Sequence, residues 1–160
     1  MKAKKINHLF LDETPEEEVN LIALYSSLEI FRVVYHLNKT LEMRLKRTKK
    51  DIDFVRDGVV SEYPLYHFYD EIIDVDYYVI ANKARIKSAK SNYKRNLFEE
   101  NNDFITYLIP ERKGVDYFFK IERRAAVDDL VKKMKKIRQI SAIHKEDISQ
   151  IKSYKNLIFD

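Results

Sequence analysis

A chain of 160 residues, 45% of them apolar and 35% charged, is long enough for one domain with a real core and too apolar for disorder. Its 30 basic and 26 acidic residues leave a net charge of +4, which permits an acidic or nucleic-acid partner without demanding one. The absence of cysteine excludes disulfides, thiolate nucleophiles and cysteine metal sites, and only two glycines exclude the glycine-rich loops that cradle phosphates.

The basic start Met1-Lys2-Ala3-Lys4-Lys5 leads into a short apolar stretch that carries Asn7 and His8 and stops at Asp12, which argues against secretion. No apolar run exceeds five residues, so no membrane span is expected and the location reads as cytoplasmic. Ile6 to Asp12 reads as a short strand, and Glu13 to Glu17, around Pro15, as a turn rather than a helix start capped by Thr14. Val19, Leu21, Ala23 and Tyr25 alternate at strand period.

Ser26 and Glu29 have the spacing of a capping box, with Tyr25 and Ile30 at the positions of a hydrophobic staple. Ile30, Val34, Leu37 and Leu41 continue as a helical stripe, which predicts a helix over about 27–40. Met43, Leu45, Ile52 and Phe54 suggest extended chain, and Asp57-Gly58 a turn. The alternating aromatic segments 63–71 and 75–83 read as a hairpin turning near Asp74, with Pro64 confined to a strand start or an edge.

Residues 83–103 read as a polar basic loop or short helix: between Lys83 and Arg95 there are six basic residues and no acidic one. Segments 104–110 and 115–122 read as strands around a turn at Gly114. Val127, Leu130, Val131, Met134 and Ile137 mark a helix over about 126–138, and a last strand is expected at 140–148. This order favours a single α+β domain with a largely antiparallel sheet and two main helices, ferredoxin-like in plan.

The string Ile109-Pro110-Glu111-Arg112-Lys113-Gly114-Val115-Asp116-Tyr117 fits the pattern IPExxxVDY at every fixed position. Leu21-Ile22-Ala23, Ser26-Ser27-Leu28-Glu29, Tyr78-Val79-Ile80-Ala81-Asn82 and Asn156-Leu157-Ile158-Phe159 extend the likeness over most of the chain. The sequence thus resembles the bacterial IPExxxVDY family. The resemblance implies a small bacterial protein and brings no activity, cofactor or catalytic residue with it.

Read from the residues, the motif is a structural turn: Pro110 ends a strand, Gly114 supplies a positive φ, and Tyr117 starts the return strand. Glu111 and Asp116 then bond backbone N–H groups of that turn; the rival reading makes them a paired-carboxylate site for acid–base work, a ligand or a metal. Lys113 to Phe119 faintly resembles an RNA-binding signature, but Val115 and Asp116 stand where it needs an aromatic and a small residue.

Lys83, Arg85, Lys87, Lys90, Lys94 and Arg95, with Tyr93 to stack on a base, are the nucleic-acid candidates. Lys132 to Arg138 reads as the polar face and cationic end of the second helix. Tyr63, Tyr66, Tyr69, Tyr77 and Tyr78 are candidates for a protein interface. The four histidines lack ligand spacing, and no metal or cofactor is expected. The leading functional expectation is a non-catalytic interaction or accessory module, with an RNA- or ribosome-associated protein second and an enzyme using Glu111 and Asp116 third.

Overall fold

The computed structural model describes residues 18–56, 58–86, 104–123 and 125–159. The expected strand at 6–12, the turn at 13–17 and most of the basic segment (Lys87, Lys90, Tyr93, Lys94 and Arg95) lie outside the described residues.

In chain order the elements are β1 (Val19–Tyr25), α1 (Ile30–Leu41), β2 (Lys46–Arg47), β3 (Ile52–Arg56), β4 (Val59–Tyr63), β5 (Leu65–Asp70), β6 (Val75–Ala81), β7 (Lys83–Ile86), β8 (Phe104–Tyr107), β9 (Tyr117–Glu122), α2 (Val127–Met134) and β10 (Ala142–Glu146). Six strands form one antiparallel sheet in the order β10-β1-β9-β6-β5-β2, while β3–β4 and β7–β8 form two separate two-stranded sheets. β9 and β10 both run antiparallel to β1, which lies between them, so β9, α2 and β10 make a split β-α-β unit. Together, β1, α1, β6, β9, α2 and β10 give the ferredoxin-like β-α-β-β-α-β order within one α+β domain.

Both faces of this sheet are apolar, because successive side chains on a strand point to opposite sides. Ile22, Leu24, Val79, Phe119 and Ile121 face α1 and α2. Leu21, Ala23, Ile80 and Phe118 face the opposite layer, built from β3, β4, β7, the segment around Leu108 and Ile109, and the closing stretch with Ile151 and Leu157. Adjacent Phe118 and Phe119, both fully buried, therefore anchor two different cores, each ring contributing about 2–3 kcal/mol of burial.

Several local expectations are corrected. α1 starts at Ile30 with Glu29 as its N-cap and no side-chain cap, because the Ser26 hydroxyl donates to the Gln139 carbonyl at 2.7 Å and accepts the Leu28 N–H at 3.2 Å. Tyr25 and Ile30 form no staple, since they pack into the two cores on opposite sides of the sheet. Segments 104–110 and 115–122 are not a hairpin: β8 pairs with β7, and β9 pairs with β1 and β6. Pro110 does not end a strand but opens a 3-10 turn, Pro110–Arg112, and among the glycines only Gly58 has positive φ, so Gly114 does not supply one. Within the expected loop at 83–103, residues Lys83–Ile86 form a strand.

Candidate functional site

Four polar side chains of the Ile109–Tyr117 segment reach other parts of the chain. Glu111 accepts the Ser153 N–H at 2.6 Å. Arg112 pairs with Glu146 of β10 at 2.7 Å. Asp116 accepts the Ser26 N–H at 2.9 Å through one oxygen and pairs with Lys83 at 2.6 Å through the other. The Tyr117 hydroxyl donates to the Leu28 carbonyl at 2.5 Å. Both carboxylates bond backbone N–H groups of distant segments, Ser153 and Ser26, while Glu111's own N–H within the turn also favours its charge.

Asn82 closes the arrangement from beneath. Its side chain is fully buried, its oxygen accepts the Ile109 N–H at 2.8 Å, and its amide donates to the carbonyls of Arg112 at 2.8 Å and Val115 at 3.0 Å. Its own N–H donates to the Asp116 carbonyl at 3.0 Å, and its carbonyl accepts the Leu108 N–H at 2.9 Å. Sequence reading missed this role. The only signal available was an asparagine ending an apolar strand, where a polar residue is useful only if its bonds are satisfied.

The electrostatics follow from these contacts. Burial opposes the charge of Glu111, but its own backbone N–H, the Ser153 N–H and hydroxyl, and Arg112 together hold its carboxyl below the ordinary 4.5. Burial first, then the charges of Asp116 and Glu29, push the Tyr117 hydroxyl up to about 12.

A second polar group crosses the sheet on the face away from the helices. Lys120, 2% exposed, donates to Glu122 and, at 2.6 Å, to the Leu157 carbonyl; its ammonium lies 4.6 Å from the Phe159 ring centroid and 5.3 Å from that of Tyr78. Beside it, His67 stacks on its cross-strand partner Tyr78 and meets Asp76 at 2.6 Å. Burial, then Glu122 and Asp76, push the Tyr78 hydroxyl up to about 12. Lys120 and Glu122 looked like ordinary strand polarity in sequence, because the groups that bury Lys120 come from the end of the chain.

The tyrosines do not share a surface. Tyr63, Tyr66 and Tyr77 are buried, Tyr78 is half-buried, and Tyr69 stands exposed with its hydroxyl on Asp74. Tyr66 and Tyr77 join the helix-side core, whereas Tyr63 and Tyr78 join the other. Of the basic candidates, Lys83 is engaged by Asp116 and Arg85 is exposed on β7. No group of three or more acidic or histidine side chains is placed to hold a metal, and no helix is long and apolar enough to cross a membrane, among the described residues. No family model, curated protein or solved structure matches this chain.

Proposed function

We propose that this protein is a non-catalytic interaction module of the bacterial cytoplasm, with the β3–β4 arm as its docking surface; the resemblance to the IPExxxVDY family supports only the bacterial part of that reading. The observation that carries this reading is the cross-strand pair Val55 and Val60, 67% and 54% exposed on the outward side of a sheet with only two strands. Phe54 and Ser61, their neighbours on the inward side, pack toward the second core, which fixes the arm and leaves the valines outside. A two-stranded sheet whose outer side carries an exposed apolar pair beside the exposed acids Asp53 and Glu62 can take up a further strand or a partner surface apolar at its centre.

The motif supports the non-catalytic part of the reading. One oxygen of Glu111 holds the Ser153 N–H, while its other oxygen is buried without a hydrogen-bond partner among the described residues, and Asp116 holds the Ser26 N–H and Lys83; these backbone anchors suit a clamp better than an acid–base pair.

The test is affinity purification of tagged protein from native lysate, half treated with nuclease, beside a Val55→Asp/Val60→Asp variant. Stoichiometric protein partners that survive nuclease and are lost from the variant support the reading. Capture of the same partners by the variant moves the interface elsewhere.

A further inference from the structure

The stretch that closes α2 is built to hold cations outward. Met134, Ile137 and Ile140 are buried in the helix-side core at intervals of three, while Lys133 just before them and Lys135, Lys136 and Arg138 between them are exposed. None of these four has an acidic partner among the described residues, whereas Lys132 and Lys145 face Asp129 and Asp128 at the other end of α2. Three apolar anchors thus fix a short loop that presents four cations outward, a local positive field available to an anionic partner.

The same loop is tied to the approach to α1. The Gln139 carbonyl accepts the Ser26 hydroxyl at 2.7 Å, and the Ser141 N–H donates to the Tyr25 carbonyl at 2.8 Å. α1 then exposes two rings, Phe31 at 53% and Tyr35 at 62%, four residues apart and so on one side of the helix. Arg32 lies 5.8 Å from the Phe31 ring centroid. Glu29 is the exposed acid at this helix start, one carboxylate against four unpaired cations.

We infer that the helix layer carries a binding site for single-stranded nucleic acid, in which Lys133, Lys135, Lys136 and Arg138 track the phosphates and Phe31 and Tyr35 stack on bases. Exposed cations near the start of α1, at the end of the helix layer where Phe31 stands exposed, offer the combination that sequence-tolerant single-strand binding uses, since every unstacked base offers a flat face. A duplex hides those faces and would meet the cations alone. A lipid surface fits less well. An interfacial helix buries a continuous apolar face, and α1 has spent its own (Ile30, Val33, Val34, Leu37 and Leu41) on the core. This site is separate from the β3–β4 arm and does not rest on it.

The test is fluorescence anisotropy with labelled 20-nucleotide single-stranded RNA and DNA, and the matching duplex, over a salt series. Native protein is expected to bind the single strands more tightly than the duplex, and an RNA–DNA difference tells which is the natural ligand. Lys135→Glu/Lys136→Glu should weaken binding at least tenfold and reduce the slope of log K against log salt by about 1.4, at about 0.7 per lost phosphate contact. Phe31→Ala and Tyr35→Ala should each weaken binding about fivefold or more while leaving that slope unchanged. All four positions are exposed, and circular dichroism checks that the variants fold. The inference is overturned by absence of oligonucleotide binding, by binding only to anionic phosphatidylglycerol vesicles, or by loss of binding in Arg85→Glu with the helix variants unaffected.

Discussion

Asn82 holds Ile109 by an N–H···O bond of 2.8 Å across 27 positions of sequence, from a side chain with no solvent exposure. The same amide group caps two further carbonyls, so one residue sets the path of the whole motif segment. Asn82→Ala leaves a buried N–H and two carbonyls without their partner, which predicts a loss of about 3 kcal/mol or more. Asn82→Asp should be at least as damaging, because a carboxylate cannot donate to the Arg112 and Val115 carbonyls. Urea midpoints decide this; an Asn82→Ala midpoint near the native value would mean that water replaces the amide.

Glu111 makes stability depend on acid. Its folded carboxyl is held below the ordinary value, so its contribution is present above about pH 4.5 and is lost as pH falls through the lowered folded value. Glu111→Gln keeps an oxygen for the Ser153 N–H but removes the titration. Thermal melts from pH 7 down to pH 3 should show a shallower acid decline in the variant. Identical acid limbs would place the acid sensitivity elsewhere.

Tyr117 does the reverse at the alkaline end. Its hydroxyl is pushed up to about 12 from an ordinary 10, so its contribution is complete below pH 10 and is lost as pH rises toward 12. Tyr117→Phe removes the bond to the Leu28 carbonyl and should cost about 1–2 kcal/mol at neutral pH. The difference between native and variant midpoints should shrink between pH 10 and 12. A constant difference across that window would show that the hydroxyl does not titrate with folding.

The parts of the fold that rest on local pattern were legible. β1 showed its alternation, the β5–β6 hairpin its aromatic runs and its turn at Asp74, and α2 its apolar stripe. What sequence could not show were choices made by distant residues. Ser26 has a capping-box position, yet its hydroxyl is taken by Gln139, and the helix begins at Ile30 instead. Phe104–Tyr107 and Tyr117–Glu122 are separated by a turn that invites a hairpin, but β9 finds better partners in β1 and β6, whose apolar side chains fill both faces of the sheet. The motif itself could be found by eye, whereas its clamps on Ser26, Leu28, Glu146 and Ser153 depend on segments that only folding brings near.

Lys120 should govern how tightly the end of the chain is held. Its ammonium is buried between the Leu157 carbonyl, Glu122 and the rings of Tyr78 and Phe159, and Glu111 secures the same stretch through Ser153. Lys120→Met keeps most of the side-chain volume but gives up the carbonyl bond and the cation–ring contacts, at about 1–2 kcal/mol. Glu122 retains access to water, so the Met variant does not strand a fully buried charge. Lys120→Ala adds a cavity and should cost about 3 kcal/mol. Because the Leu157 carbonyl bond and the Phe159 ring contact are what Lys120 gives the closing segment, whereas β6 and β9 keep their ladder hydrogen bonds, the first effect should be local: hydrogen exchange at 148–159 should quicken well before β6 and β9 do. Uniform quickening across the sheet would instead make Lys120 a member of the global core.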